Sequence, residues 1–273
     1  MKTDIFPLNY FKTIWTPLKV FRGRQQLNWL QILVIFLFLN ALIMIPVSLS
    51  FAKMDAFPIE GSFPNAFALI DESAVTAMKE AEFTNGRVDL PSSFLFTSDN
   101  GVIGGALSKK EADELIKEEN AIIFLADKLI IKEGDNPISE VKYTKDFTLD
   151  NVTSTAELKT AISQQWFIQN KGFIVGSLIL AVFSLSLASI VFIVLGSSIF
   201  IYFTRKGQFS SIKTFKESVN LIVNAMGLAS VISMVIGLIR YDMITMLMIQ
   251  SFGAVLMILA VFYKTRFNDD AAV

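Results

Sequence analysis

Apolar positions in this chain gather into four long uncharged runs instead of recurring at the intervals of a soluble core. The first, Asn28 to Ala52, holds no charged residue and is long enough to cross roughly 30 Å of hydrocarbon as a helix. A cleavable signal peptide would have an apolar stretch of about 7–15 residues ending at small residues; this run is longer and rich in large side chains. The second, Gly172 to Thr204, has 33 residues without a charge. As a helix it would measure about 50 Å, more than one crossing needs and too little for two. It reads as one long helix that is tilted or protrudes. The third run spans Val219 to Ile239 and the fourth Met243 to Tyr263, with only Arg240-Tyr241-Asp242 between them. Those two form a tight hairpin. The pattern predicts a four-helix transmembrane bundle.

Residues 53–171 carry a different pattern, that of a folded α+β unit inserted between the first and second spans. Asn85-Gly86, between Phe83-Thr84 and Arg87-Val88, is a type I′ hairpin signal. Ser108-Lys109-Lys110-Glu111 is a capping box that opens a helix expected to end near Asn120. Ala121 to Leu125 and Leu129 to Lys132 read as strands, and Val141 to Leu149 alternates like a third. Ser154-Thr155-Ala156-Glu157 is a second capping box. The helix it starts has Leu158, Ala161, Ile162 and Trp166 on one face and can continue into the second span.

The first 27 residues form an amphipathic arm. Phe11, Ile14, Trp15 and Leu18 recur at helical spacing. Thr16-Pro17 restarts the helix, with threonine as cap and proline at the first position. Lys12, Lys19, Arg22 and Arg24 flank the apolar side. Aromatics with basic neighbours suit a helix in the lipid headgroup layer. Phe11, Lys12, Trp15, Lys19, Arg22 and Arg24 are therefore the candidate contacts to membrane lipids or a partner.

Charge sets the orientation. Lys2, Lys12, Lys19, Arg22 and Arg24 precede the first span against one acid, Asp4. Arg205, Lys206, Lys213 and Lys216 occupy the loop 205–218 against Glu217, and Lys264 and Arg266 lie in the tail 264–273. With four spans, all three basic segments fall on one side, which the positive-inside rule makes the cytoplasm. Arg240 is the one contrary charge. The inserted segment, with 20 acidic and 12 basic residues, is then an extracytoplasmic α+β domain of a multi-pass cell-membrane protein with both termini inside.

The composition narrows the chemistry. With no Cys and no His, the chain lacks the usual zinc ligands, the cysteine nucleophile and the histidine base. No phosphate loop, dinucleotide fingerprint or nucleophile elbow is present, no cofactor is expected, and a formal net charge of −1 argues against nucleic acid. The spans carry no central charge of the kind pumps and ion-coupled carriers use. They carry small and weakly polar residues instead: Ser184, Ser186, Ser189, Ser197 and Ser198, with Asn40, Asn220, Asn224 and Gln250 supplying amides. The pairs Gly172/Gly176 and Ser233/Gly237 suit close helix packing, within the bundle or between copies in a homo-oligomer. Asn100-Gly101-Val102-Ile103-Gly104-Gly105 reads as a turn. Glu111, Asp113, Glu114, Glu118 and Glu119 read as a solvated helix face. Phe94, Phe96, Phe124, Tyr143, Phe147 and Trp166 read mostly as core, although exposed rings of this kind bind sugars.

The arm Tyr10-Phe11-Lys12-Thr13-Ile14-Trp15-Thr16-Pro17-Leu18, with Arg22 shortly before the first span, resembles the start of a family of Gram-positive membrane proteins of unknown function. Some members are called maltodextrin utilisation proteins because their genes lie near sugar-uptake genes. The resemblance extends to the layout of arm, span, outer domain and clustered spans. It implies a bacterial plasma membrane and a link to oligosaccharide uptake, and it carries no catalytic residues. The leading expectation is a non-enzymatic accessory or scaffold protein that binds other membrane proteins, as in a sugar-uptake complex. Three rivals remain: an envelope-assembly factor touching wall-polymer machinery, a small transporter or lipid-handling protein, and an enzyme using carboxylates alone. A concave groove of acid and aromatic groups on the outer domain would favour sugar contact. A polar cavity among the spans would favour transport.

The orientation is directly testable because the chain has no cysteine. Leu115→Cys should react with an impermeant thiol reagent in intact cells and Ser210→Cys should not; the reverse labelling would overturn the assignment.

Overall fold

A computed structural model describes residues 5–117, 120–206 and 210–270. Lys2, Asp4, Glu118 and Glu119 lie outside the described residues. Contacts divide the chain into two compact units, one of residues 1–53 with 175–273 and one of residues 54–174. Among the described residues four helices are long and apolar enough to cross a membrane: α3 (Trp29–Ala52), α7 (Thr155–Phe203), α8 (Phe215–Ile239) and α9 (Met243–Thr265). The protein is multi-pass, with a mixed α+β domain inserted between its first and second spans.

The inserted domain is built on a five-stranded sheet. Its strands are β3 (Phe94–Ser98), β4 (Gly101–Gly105), β5 (Asn120–Phe124), β6 (Lys128–Glu133) and β7 (Ser139–Lys142), ordered β3-β4-β5-β6-β7. All neighbours are antiparallel except β4 and β5. That parallel pair needs a crossover, supplied by α6 (Lys109–Leu115). Every residue of β5 is buried. Ile122 and Phe124 belong to one core with Ile131, Val141, Leu158 and Ile162, whereas Ala121 and Ile123 join Ala112 beneath α6. A strand covered on both faces reads as an unbroken apolar run. Helices α4 (Pro64–Ala68) and α5 (Glu72–Met78) complete the first face. The buried Glu133 carboxylate accepts from the Asn65 and Ala66 N–H groups at 3.0 and 2.8 Å, tying the start of α4 to β6.

Local signals hold at both capping boxes. Ser108 and Glu111 exchange hydrogen bonds, as do Ser154 and Glu157. Asn85 and Gly86, with φ of 52° and 76°, join β1 (Glu82–Thr84) to β2 (Arg87–Asp89). Helix α7 runs unbroken from the second box through the second span for 49 residues.

Three expectations are corrected. The glycine-rich stretch is not a turn: Asp99-Asn100 make the turn and the glycines form the buried strand β4. Gly101, at φ 138°, sits against the Asn120 carbonyl, where any side chain would collide. Helix α6 ends at Leu115, well before Asn120, which belongs to β5. Asn120 donates to the Asn100 carbonyl at 2.7 Å and accepts from the Gly134 N–H at 2.9 Å, so its side chain joins two turns. Strand β7 stops at Lys142 instead of reaching Leu149. There the Gln165 amide takes the Lys142 carbonyl at 2.7 Å, and the chain bends so that Tyr143 and Phe147 stack against each other with Phe83 edge-on to both.

In the membrane unit, α8 is the most enclosed span. It begins at Phe215, four residues before the uncharged run, because the Thr214 hydroxyl caps it. The Ser233 hydroxyl donates to the Met246 carbonyl at 2.6 Å, Gln250 donates to Ser230 at 2.8 Å, and Gly237 leaves room for Met246 and Pro46. Between α3 and α7, Asn40 donates to the Phe183 carbonyl and accepts from Ser186. Every backbone polar group in a span must be satisfied within the protein; these side-chain amides and hydroxyls meet across the helix pairs, whereas Ser198 Oγ and Asn224 Nδ2 are buried with no hydrogen-bond partner among the described residues.

The arm docks onto α8. Its helices are α1 (Leu8–Thr13) and α2 (Pro17–Arg22), the latter capped by Thr16, followed by a 3-10 turn at Gly23–Gln25. Tyr10, Ile14, Val20, Phe21 and Leu27 are buried in one core with the α8 residues Leu221, Ile222 and Met226. Gly227 opens a place for Ile14 and the Tyr10 ring, whose hydroxyl donates to the Val223 carbonyl at 3.1 Å. Arg24, only 3% exposed, lies over the Phe21 ring and binds Asp269 at 2.6 Å, with Glu217 at 3.9 Å.

Arg24→Ala should lower stability by about 3 kcal/mol, and Asp269→Asn, which leaves the buried guanidinium with only Glu217 at 3.9 Å, should cost an amount of the same order, the scale of breaking a buried pair; thermal unfolding in detergent reads both. Residues 54–170 expressed alone should give a soluble monomer with mixed α/β circular dichroism. Hydrogen bonds from Thr153 and Ser154 hold the Glu157 carboxyl below its ordinary value of 4.5, and those from Ser108 do the same for Glu111. A depressed folded value makes their contribution fully present above about pH 4.5 and lost as pH falls through the folded value. Acid unfolding of this fragment should therefore begin below that pH, and Glu157→Gln should weaken the fragment at pH 7 while flattening its acid response.

Candidate functional site

The inserted domain has a groove of about 440 Å³ between the segment leading into it and the first turns of α7. Ala56, Phe57, Pro58 and Glu60 form one wall. Thr155, Ala156, Lys159, Thr160 and Ser163 form the other. The helical wall arises from spacing: residues 155, 159 and 163 lie four apart and share a face. The neighbouring stripe of Leu158 and Ile162 is buried in the core and fixes that face toward the groove.

Phe57 is half-buried, its ring stacked on Phe167 with 6.5 Å between centroids. That stacking holds one side of the ring and leaves it lining the groove. Lys159 Nζ meets Glu60 Oε1 at 2.8 Å, joining the two walls. The pair is solvated at the Glu60 end, so it contributes little to stability. It places a carboxylate and an ammonium side by side. The Thr160 hydroxyl donates to the Ala156 carbonyl at 2.8 Å and keeps its lone pairs. An aromatic platform with a few convergent polar groups in a volume of this size fits a small polar ligand.

The predicted aromatics contribute elsewhere. Phe124 and Tyr143 are buried, and Phe94, Phe96, Phe147 and Trp166 pack on the core. Trp166 spends its indole N–H on the Ser139 hydroxyl at 2.8 Å and meets Phe63 edge-on. Burial pushes the Tyr143 phenol up, with the nearby Asp127 charge adding to the effect. The sequence marks none of the groove residues as a contact; Thr155 and Ala156 stand out there only as part of the second capping box. Lys159 and Ser163 carry a signal in their four-residue spacing, but Phe57 and Glu60 sit in irregular chain with no period to mark them.

The arm residues divide into two sets. Lys12, Lys19 and Arg22 come together around a cleft of about 280 Å³ with Asn9, Thr13 and Gln26. Trp15 is exposed, and Phe11 is half-buried with its ring edge-on to Tyr10 and Phe38. Arg24 is a correction: it faces inward to Asp269 and Glu217 and offers no charge to a headgroup layer. The helix-packing residues also divide. Ser233 and Gly237 sit at the α8–α9 contact, whereas among the described residues no other part of the chain comes within 4 Å of a side chain placed at Gly172 or Gly176. Glu111, Asp113 and Glu114 are exposed on α6. Among the spans lies an apolar cleft of about 200 Å³ lined by Ile193, Phe200, Ile222, Ala254 and neighbours, with Ser197 and Ser251 its polar members. It offers no charged path of the kind ion coupling uses.

No family model matches the chain, and no solved structure matches it. Among curated proteins it is similar to the maltodextrose utilization protein MalA of Streptococcus pneumoniae, with 28% identity over 265 residues covering 97% of each chain. It is also similar to YvdJ of Bacillus subtilis, which carries a provisional maltodextrin-utilization name, with 28% identity over 280 residues covering 99% of this chain and 94% of the relative. Both likenesses run essentially end to end, through arm, inserted domain and spans.

Proposed function

We propose that the protein is a non-enzymatic accessory component of oligosaccharide utilisation whose inserted domain, held outside the cytoplasm, contacts a maltodextrin-type glucan in the groove. The groove is the observation that carries this reading. It combines the Phe57 ring with a carboxylate, an ammonium and hydroxyls at Thr155, Thr160 and Ser163. A glucosyl unit has an apolar face, which stacks on an aromatic ring, and hydroxyls that donate to carboxylates and accept from ammonium groups. The end-to-end likeness to proteins named for maltodextrin or maltodextrose utilisation supports the same ligand class.

The scaffold part of the proposal rests on the layout. The spans hold no buried central charge for ion coupling, and the chain has neither His nor Cys for the usual catalysis. What it offers is a surface on each side of the bilayer. In its native host, deletion of the gene should slow growth on maltodextrins and leave growth on glucose unchanged. Complementation by Phe57→Ala or by Glu60→Gln with Lys159→Gln should restore little, although the protein inserts normally. Full complementation by both variants would remove the groove from the function. Loss of growth on every carbon source would favour the envelope-assembly alternative.

A further inference from the structure

The groove occupies one flank of the first turns of α7. On the other flank lies a second cleft of about 440 Å³, whose polar lining includes Thr148, Asn151 and Gln164, with Val152 as an apolar member. Ala156 and Thr160 line both cavities. The helix explains the division, since successive residues turn by about 100°. Residues 155, 159 and 163 face the groove, 157, 161 and 164 face the second cleft, and 156 and 160 stand on the crest between them. That crest is low. Ala156 carries a methyl group, and the Thr160 hydroxyl turns back to the Ala156 carbonyl at 2.8 Å. Both residues are exposed, so the two cavities adjoin over a ridge without long side chains.

The second cleft is held in shape by the chain around it. Leu149 is buried in the core, and the Val152 N–H donates to its carbonyl at 2.9 Å. Glu157 is the one charged residue of the lining. Its carboxylate accepts from the Thr153 and Ser154 N–H groups and from the Thr153 hydroxyl, which ties this segment to the helix. The groups left for a ligand are neutral. Asn151 and Gln164 are exposed, and among the described residues neither side chain has a hydrogen-bond partner. The Thr148 hydroxyl accepts from the Asp150 N–H at 3.2 Å and keeps its proton. A carboxamide donates and accepts at once, as a hydroxyl does, so this set matches an uncharged polyhydroxy ligand better than an ion.

Resting on the glucan reading of the groove, we propose that the second cleft is a further glucosyl subsite. A linear glucan too long for the groove crosses the ridge over Ala156 and Thr160 and places its next units against Val152, Asn151 and Gln164. The Phe57 side then supplies the stacking contact, and the carboxamide side supplies discrimination by chain length. Short glucans engage the groove alone.

The test is calorimetric titration of the full-length protein, in a detergent without a sugar headgroup, with maltose, maltotriose and maltohexaose as separate probes. Wild type should bind maltohexaose about tenfold or more tightly than maltose, the scale of two added hydrogen bonds. The double variant Asn151→Ala with Gln164→Ala, changed only at exposed positions, should bring maltohexaose to within about threefold of maltose while maltose itself binds as in wild type. Phe57→Ala should weaken all three. Equal affinity for the three probes in wild type would overturn the second subsite and leave the groove standing. So would a length preference that survives the double variant, or equal losses for maltose and maltohexaose in it. Failure of wild type to bind any of the three would overturn the glucan reading, and the second subsite with it.

Discussion

The contact between the arm and α8 organises the membrane unit. A span in hydrocarbon gains nothing from hiding apolar surface from water, so helix association there depends on shape and on polar groups finding partners. Helix α8 carries a polar stripe, Glu217, Asn220 and Asn224, continued by the small Gly227, and the arm is laid along it. Asn220 donates to the Leu27 carbonyl at 3.1 Å, Gln25 reaches Glu217 at 3.4 Å, and Gly23 brings the chain close to Asn224. Arg24 then draws in the residues after α9: Asp269 holds its guanidinium, the Phe267 ring stacks against Phe21, and the Ser211 N–H donates to the Phe267 carbonyl at 2.7 Å. The arm, the 210–217 segment and the residues after α9 therefore meet around one buried cation.

Much of this was legible in the sequence because bilayer thickness and capping chemistry are local constraints. The four spans follow from run length, the restart of the arm from Thr16-Pro17, and both capping boxes from four residues each. The misreadings share a cause. Gly101, Gly104 and Gly105 look like a turn because glycine tolerates turns, yet here glycine admits a neighbouring strand, which is a tertiary requirement. The stop of β7 at Lys142 depends on Gln165, 23 residues away. Arg24 looked like its basic neighbours, and only the fold distinguishes the one that faces Asp269, 245 residues further on.

The candidate site shows the same limit. Its helical wall is a register fact, since burying Leu158 and Ile162 presents Lys159 and Ser163 to the adjoining face. Its other wall, Phe57 to Glu60, is placed by the packing of Phe57 on Phe167 and by the Lys159–Glu60 pair. The large aromatics that invited a sugar-binding reading, Trp166 and Tyr143 among them, are committed to the core. Phe57, which stacks on Phe167 at the groove, is a ring that no pattern marked.

The claim that the groove binds glucan is tested most directly by saturation-transfer nuclear magnetic resonance on the full-length protein in detergent with maltotetraose. The account predicts transfer to the ring protons of a glucosyl unit, lost on Phe57→Ala and absent with a non-glucose control oligosaccharide. Absence of transfer to maltotetraose, or equal transfer in wild type and the Phe57→Ala variant, would contradict it.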